Sequence, residues 1–133
     1  QRMTAGLISG TKKPQAPKVL VSVAPSDTVG DALGKMDELG LTQLPVIEEG
    51  RAVGSVRENR VLAKVVRDRA LLDSQVSEVM ESSFPIVDVD VSSNEVLRRL
   101  QTSPAVLVEE YGRITGIITR HDVLDLKLKG ATH

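Results

Sequence analysis

The sequence predicts an α/β (α+β) fold in which two tandem β-α-β-β-α units pack sheet to sheet around a pseudo-two-fold axis. Three observations support it: β-branched runs alternate with amphipathic helical stretches, the alternation occurs twice, and the chain has only 133 residues. Gly54 lies 62 positions before Gly116, and Leu33 lies 64 positions before Leu97, in similar sequence contexts. Each half has about 55 to 60 residues and a three-stranded sheet, too little to bury its own faces, so the halves are expected to share a core.

The first repeat begins with a predicted β-strand over Lys18–Val23. The following turn supplies an N-cap at Thr28 for a helix that Gly40 ends. A predicted hairpin then joins a strand over Gln43–Glu48 to a strand over Ala52–Arg57, with a tight turn between them. Up to this point the pattern is β-α-β-β.

A second amphipathic helix, predicted over Glu58–Arg69, closes the first repeat. Its apolar residues are expected to face inward: Val61, Leu62, Val65 and Val66. A short helical turn over Val76–Met80 leads into the second repeat, whose first strand is predicted over Ile86–Val89.

The second repeat continues with a helix that Ser92 or Ser93 can cap. Three of its apolar residues are expected to face inward: Val96, Leu97 and Leu100. Strands over Ala105–Glu109 and Ile114–Thr119 form the second hairpin, and the closing helix is predicted over Arg120–Lys129.

The domain organisation follows from these boundaries. Residues 1–17 contain two Gly, two Pro and a Lys pair without sustained periodicity, which predicts a linker or tail. The first repeat is assigned to residues 18–72, the second to 73–129 and a short tail to 130–133. A chain that begins at Gln1 in a linker-like segment favours a domain excised from a longer protein, with a tag remnant or processed terminus as the alternative.

Charge and aromatic content argue against a nucleic-acid partner. Seventeen Lys and Arg against eighteen Asp and Glu give a net charge of −1, without the basic field that drives sequence-independent binding. Phe84 and Tyr111 are the only Phe, Tyr or Trp residues, so nucleic-acid bases would have almost nothing to stack on.

Other compositional features bear on compartment and metal binding. The longest apolar stretches have about five residues against the roughly 20 that span a bilayer, and no signal peptide is evident. The absence of cysteine excludes disulfides, thiol nucleophiles and Cys-rich zinc sites. The two histidines, His121 and His133, are too few for a His-rich metal site. We expect a soluble, cytoplasmic protein with no metal site and no membrane partner.

Several short motifs in this order resemble a CBS-domain pair, also called a Bateman module. They are the run Gly40–Val46 entering the first hairpin, Val79-Met80 before the second repeat, and Gly116–Asp122 at its closing helix. The resemblance covers residues 18–128. Within the family, three runs are most similar to the C-terminal regulatory region of bacterial-type pyridoxal-phosphate-dependent cystathionine β-synthases: Ala52–Val56, Pro104–Val108 and Ile118–Asp122.

This resemblance implies a regulatory sensor that binds AMP, ADP, ATP or S-adenosylmethionine in a cleft between the repeats. Thr119 ends a strand and Asp122 lies in the first turn of the next helix, so a hydroxyl and a carboxylate flank one mouth. Asp122 can accept both ribose hydroxyls, Thr119 and nearby helix amides can meet the sugar or a phosphate, and Arg120 can supply a cation. His121 completes this end of the expected ligand-binding site. By family carry-over, the opposing wall is formed by Leu41, Thr42, Gln43, Leu44 and Val46.

Each of these residues also has a simpler structural explanation. Asp122 is a preferred residue near a helix N-terminus, where it can be a cap alone. Gln43 can be an ordinary solvated side chain, and Pro45 can mark an edge strand. Gly54 and Gly116 can serve turn formation and close sheet packing rather than a ligand.

The two repeats are not equivalent at this position. Overlaying them places Arg57 at the position of Thr119 and Arg60 at that of Asp122, so the first repeat lacks the ribose carboxylate. The sequence therefore predicts one adenosine site per chain. A basic stripe with spacings of three, four and three is either a solvated helix face or a contact for an anion or a partner: Arg57, Arg60, Lys64 and Arg67.

No enzyme motif is present: the chain lacks HExxH, a Walker loop and GxGxxG. His121 and Asp122 are neighbours about 100° apart on a helix, which makes them a poor acid–base pair. We therefore expect no catalytic residues and no resident cofactor in this chain. The resemblance implies an upstream catalytic domain in the same polypeptide and a homodimer of two CBS pairs. A ligand-independent dimerisation or structural module is the alternative.

Overall fold

The computed structural model describes residues 20–123, which form two compact units. The first unit is Val21–Ser83, and the second unit contains Leu20 and residues 84–123. The predicted linker, the C-terminal tail and most of the closing helix lie outside the described residues. The predicted repeat boundaries and the packing of one sheet against the other stay predictions.

The first unit has the predicted order of helices and strands. It contains α1 (Val29–Leu39), β1 (Gln43–Glu48), β2 (Arg51–Arg57), α2 (Glu58–Arg67) and two 3-10 turns at Arg69–Asp73 and Val76–Glu78. Thr28 caps α1, its Oγ1 accepting the N–H of Asp31 at 3.0 Å. Gly40 ends α1 in the left-handed region, with φ of 67°, and Leu41 N–H returns to Met36 O at 2.8 Å.

The core of the first unit lies between its helices and the β1–β2 hairpin. Val23 extends this antiparallel hairpin by a single parallel bridge to Val46. The helices α1 and α2, the hairpin and the second 3-10 turn all contribute buried apolar side chains: Val23, Val29, Ala32, Met36, Leu44, Val46, Val56, Val61, Val65, Val76 and Val79. The turn at Val76–Glu78 therefore folds with the first unit.

The second unit contains β3 (Ile86–Asp88), α3 (Ser93–Arg99), β4 (Ala105–Glu110) and β5 (Arg113–Thr119). A final helix, α4, begins at Arg120 and is described to Val123. The sheet order is β3-β4-β5, with β3 parallel and β5 antiparallel to β4. Its core combines α3 with the sheet: Val87, Val96, Leu100, Val106, Val108 and Ile118.

Short-range polar contacts hold α3, which has only seven residues. Ser92 Oγ caps it by accepting Glu95 N–H at 3.3 Å. Hydrogen bonds from Arg99 and from Arg98 to the Glu95 carboxylate lower the pKa of Glu95. Both arginines are thereby tied to their own helix.

The two hairpins repeat each other residue by residue at an offset of 62. β1 and β4, and β2 and β5, start and end at positions 62 apart. Both turns use two left-handed residues, Glu49-Gly50 and Tyr111-Gly112. Both ladders also skip one residue at the same place, Val53 in one and Thr115 in the other, which is a β-bulge. This confirms the repeat that the sequence predicts.

Several predicted details are wrong. Val66 is 80% exposed and Leu62 43% exposed, so α2 buries only Val61 and Val65. Leu97 is likewise 44% exposed.

Predicted boundaries also differ from the observed ones, most of them by one or two residues. Within residues 20–23 the expected first strand is only the Val23 bridge, because a single pair of backbone hydrogen bonds joins it to β1. The helix α2 ends at Arg67 rather than Arg69 because Asp68 is extended and caps the following 3-10 turn. β3 ends at Asp88 rather than Val89.

The outer edge of β2 is covered by Met80–Ser82, which we call the covering segment. Ser55 N–H donates to Glu81 O at 2.9 Å, and Glu81 N–H donates back to Ser55 O at 2.8 Å. Ser55 Oγ also donates to Ser82 O at 2.6 Å. A Cβ on Gly54 would lie 2.6 Å from Met80 Sδ and 2.9 Å from Glu81 O, so this glycine permits the close approach.

We expect Gly54→Ala to lower the free energy of unfolding by about 1–3 kcal/mol, because its methyl group overlaps the covering segment. Gly34→Ala is the matched control: a Cβ there meets nothing within 4 Å, in the interior of α1. That change should raise stability by about 0.5–1 kcal/mol. Urea denaturation of both variants measures the difference, and equal effects would contradict the packing role of Gly54.

Candidate functional site

Thr119 and Asp122 meet where β5 passes into α4. Thr119 N–H donates to Asp122 Oδ2 at 3.0 Å, and Asp122 N–H donates to Thr119 Oγ1 at 3.2 Å. This reciprocal pair has the pattern of a capping box at the start of α4. Asp122 is 8% exposed and Thr119 half-buried, so the carboxylate is held in a fixed orientation close to the surface. The structure thus brings these two predicted residues together, and it shows that both serve as caps.

Arg120 and His121, which lie between Thr119 and Asp122, differ in their contacts. Arg120 Nε donates to Leu100 O at 2.8 Å, and its backbone N–H donates to Pro104 O at 3.3 Å. The Arg120 side chain therefore satisfies a carbonyl at the C-terminal end of α3. His121 is exposed in the first turn of α4.

The predicted residues of the first unit lie at the start of the first hairpin. Leu44 and Val46 are 1% and 0% exposed and belong to the core of that unit. Thr42 is exposed, while Leu41 and Gln43 are half-buried. These last three side chains reach the surface, and a ligand role for any of the five stays a prediction.

The backbone of Gln43 lies at an open edge of β1. Pro45 O accepts from Val23 N–H at 3.1 Å and Ile47 N–H donates to Val23 O at 2.9 Å, so alternate residues of β1 face Val23. By the same alternation, the backbone N–H and C=O of Gln43 point toward this edge, at a position that the Val23–Val46 bridge does not reach. Within the described part of the chain, no hydrogen bond on that edge uses Gln43.

The corresponding junction of the first unit is chemically different. β2 ends at Arg57 and α2 starts at Glu58, just as β5 ends at Thr119 and α4 starts at Arg120. Arg57 makes no side-chain cap, and among residues 20–123 its buried Nε has no hydrogen-bond partner. Arg60, at the position of Asp122, forms an ion pair with Glu81.

Two residues of the basic stripe, Arg60 and Lys64, make polar contacts within the first unit. Besides the Arg60–Glu81 pair, Lys64 Nζ donates to Val79 O at 3.4 Å. Sequence reasoning missed Glu81, because it lies 21 residues from Arg60 and no local pattern signals the contact.

Residues 20–123 contain neither a metal-binding cluster nor a helix that could span a membrane. No group of three or more His, Cys, Asp or Glu side chains there is placed to hold a metal ion. No helix in that part of the chain has the length and apolar character needed to cross a bilayer.

Known proteins resemble this chain in sequence. A family model described as the CBS domain matches residues 17–67 and 76–129. An inosine-5'-monophosphate dehydrogenase of Methanocaldococcus jannaschii is 31% identical over 113 residues, which are 80% of this chain and 21% of that protein. A zinc metalloprotease of the same organism is 28% identical over 104 residues, 78% of this chain and 28% of that protein. The chain spans less than a third of the length of these two relatives.

Solved structures show the same fold. An acetoin utilization protein from Vibrio cholerae superimposes with a TM-score of 0.84 at 16% identity, covering 99% of this chain and 95% of that one. A signal-transduction protein with CBS domains from Burkholderia ambifaria gives 0.80 at 24% identity, covering 96% and 95%. At these identities the likeness establishes the fold alone. The family model matches twice, and the two matches together cover most of the chain. The chain therefore belongs to the CBS-domain family and carries two CBS domains.

Proposed function

We propose that this CBS pair is a regulatory module that senses one adenosine ligand per chain: AMP, ADP, ATP or S-adenosylmethionine. The observation that carries the proposal is the reciprocal Thr119–Asp122 pair, which holds a carboxylate in a fixed orientation at the N-terminus of α4. A regulatory role agrees with the CBS-domain family and with the signal-transduction protein from Burkholderia ambifaria that has the same fold.

The chemistry of the pair suits a ribose. A carboxylate has about four lone-pair positions, so the bond from Thr119 N–H to Oδ2 does not exhaust its capacity to accept hydrogen bonds. Two adjacent ribose hydroxyls can donate to one carboxylate, and such charge-assisted bonds are stronger than neutral ones. The N-terminus of α4 adds a favourable field for an attached phosphate.

The adenine ring needs a partner for its polar edge. Gln43, with its backbone donor and acceptor at the open edge of β1, supplies such a pair, as the family resemblance leads us to expect. Leu41 and Thr42 reach the surface beside it. Leu44 and Val46 support this part of β1 from the core. Arg120 is the cation available for a phosphate, after its Nε has bonded Leu100 O.

The module is proposed to control an attached catalytic domain. Two of the relatives, an inosine-5'-monophosphate dehydrogenase and a zinc metalloprotease, are named as enzymes and contain a region similar to this chain. A cystathionine β-synthase parent, with pyridoxal phosphate in its own catalytic domain, is the specific candidate that the runs around Ala52–Val56 and Ile118–Asp122 favour.

A thermal-shift screen tests the sensing function. The chain is heated with AMP, ADP, ATP, S-adenosylmethionine and S-adenosylhomocysteine, each at several concentrations. A ligand at 100 times its Kd should stabilise the chain by about 2.7 kcal/mol, seen as a higher Tm. If none of the five shifts the Tm at millimolar concentration, the sensing proposal fails.

Stoichiometry is a separate prediction. We expect isothermal titration to give one site per chain, because the first unit has Arg57 and Arg60 in place of Thr119 and Asp122. Arg60 also forms an ion pair with Glu81. The first unit therefore has a guanidinium at the position where the second unit has the carboxylate proposed to accept the ribose hydroxyls. Two equal sites per chain would show that the first junction also binds ligand.

A ligand-independent dimerisation module is the second candidate, and one observation favours it. The helix α2 presents Leu62 and Val66, four residues apart, with 43% and 80% of their surfaces exposed. Such an apolar pair on one helix face suits burial against a second copy of the chain. Dimerisation and sensing are compatible. The ligand screen tests sensing, and the oligomeric state of the chain tests dimerisation.

A further inference from the structure

The tip of the second hairpin carries an aromatic ring that is almost fully exposed. Tyr111 has 94% of its surface exposed, so its ring contributes almost no packing to the chain. Its φ of 54° lies in the left-handed region, which disfavours bulky side chains and which asparagine and glycine adopt more readily. Tyr111 therefore occupies a backbone conformation that costs free energy, without stabilising the fold in return.

The first hairpin shows that the same turn forms without an aromatic residue. Glu49 lies at the position of Tyr111 at an offset of 62, with φ of 52° and a glycine after it. The two four-residue tips differ at that position alone: Glu48-Glu49-Gly50-Arg51 and Glu110-Tyr111-Gly112-Arg113. The turn thus does not require the ring, which leaves a role in binding for it.

The end of the sheet that carries Tyr111 is acidic. The parallel strands β3 and β4 end side by side, with Asp88 opposite Glu109. Glu110 faces Arg113 across the turn, and Asp90 lies two residues beyond Asp88. In the described part of the chain, none of the four carboxylates forms an ion pair. Four carboxylates against one guanidinium make this surface attractive to cations.

We propose that this tip docks a protein partner that presents a basic, arginine-bearing surface, with Tyr111 as the main contact. Tyrosine has a large amphipathic ring with few rotatable bonds, and it is enriched among the residues that dominate interface energies. A guanidinium stacks on an exposed aromatic face and also pairs with carboxylates through two parallel hydrogen bonds. The ring and the carboxylates therefore favour the same partner side chain.

This docking surface is separate from the proposed adenosine site. Tyr111 precedes the first residue of β5, whereas Thr119 is its last residue. Over the seven residues of β5 the two ends are about 20 Å apart. A docked partner and a bound ligand can therefore occupy the second unit together, and failure of the ligand screen would leave this proposal untouched.

Titration of the full 133-residue chain with a tetra-arginine peptide at low salt tests the docking. Tyr111 is the only Tyr and the chain has no Trp, so tyrosine fluorescence reports on this tip alone. NMR shifts of the Gly112 and Arg113 amides follow the same titration in variants that lack the tyrosine. We expect saturable changes in both signals of the wild type.

Two variants of unchanged charge isolate the contribution of the ring. Tyr111→Asn, which suits the left-handed turn, should lower the affinity for the peptide about two- to fivefold. Tyr111→Phe keeps the aromatic face and should bind as the wild type does. A tetra-lysine peptide of equal charge should bind the wild type more weakly, because it lacks the planar guanidinium. In urea, Tyr111→Asn should be at least as stable as the wild type.

Equal affinity of the wild type and Tyr111→Asn would overturn the proposal, because charge alone would then explain binding. An equal loss in Tyr111→Phe, or equal binding of tetra-lysine, would overturn the contact between guanidinium and ring. Lower stability of Tyr111→Asn would show that the ring serves the fold instead. Shifts at Gly112 that depend on protein concentration without peptide would identify a second copy as the occupant, against the proposal.

Discussion

Asp122→Ala is expected to abolish binding of the adenosine ligand while leaving the chain folded. The change removes the only carboxylate among residues 119–123, the described part of the β5–α4 junction, and leaves the apolar core of the second unit intact. Losing two hydrogen bonds to a charged group, worth about 1.5–3 kcal/mol each, weakens binding by about 100-fold or more. Loss of the cap alone should lower the free energy of unfolding by about 1 kcal/mol.

Two further variants separate the ligand role of Asp122 from its capping role. Asp122→Asn keeps an oxygen that can accept Thr119 N–H, so stability should change little while binding still weakens through the lost charge. Ser92→Ala removes an equivalent cap from α3, in the same unit, and should lower stability by about 1 kcal/mol with unchanged affinity. Calorimetric titration measures the affinities and urea denaturation the stabilities.

The site assignment to Asp122 fails on either of two results. The first is an unchanged affinity in Asp122→Ala. The second is an equal loss of affinity in Ser92→Ala, which would mean that binding reports only on the stability of the second unit.

Local chemistry made much of the fold predictable. Thr28, Gly40 and Ser92 act through backbone groups within a few residues, and such contacts are encoded in short sequence motifs. The repeat was visible because both hairpins keep the same turn, bulge and glycine at an offset of 62. The position of Asp122 three residues after Thr119 likewise predicted that the two residues meet, and each side chain accepts the backbone N–H of the other residue.

The wrong predictions concern features that depend on distant residues. Val61, Leu62, Val65 and Val66 form two adjacent apolar rows on α2, and helical periodicity cannot tell which row faces the sheet. The β-branched run over Lys18–Val23 predicted a strand, yet within residues 20–23 only Val23 pairs, because strand length depends on the neighbour available to pair with it. The Arg60–Glu81 contact also needs the tertiary fold, because the covering segment carries Glu81 to α2.

The exposed row of α2 leads to the second large effect that we expect. Val66→Glu should convert a homodimer of the chain into monomers, because it places a charge where the proposed interface is apolar. Burying a valine or leucine side chain contributes about 1.5–3 kcal/mol. In a symmetric dimer each copy contributes the same residues. The stabilisation from burying Leu62 and Val66 is therefore gained twice, and the cost of burying the introduced charge is also incurred twice.

Sedimentation velocity over a range of concentrations measures this effect. The wild type should sediment as a dimer at micromolar concentration and Val66→Glu as a monomer. Tyr111→Glu is the matched control: Tyr111 is 94% exposed at the tip of the second hairpin, and its replacement introduces the same charge away from α2.

If Val66→Glu remains dimeric, the α2 row is not the interface. If Tyr111→Glu also dissociates, added charge alone explains the loss of the dimer. If Val66→Glu becomes monomeric and still binds its adenosine ligand with unchanged affinity, sensing is a property of the single chain, and the dimer serves to transmit the signal.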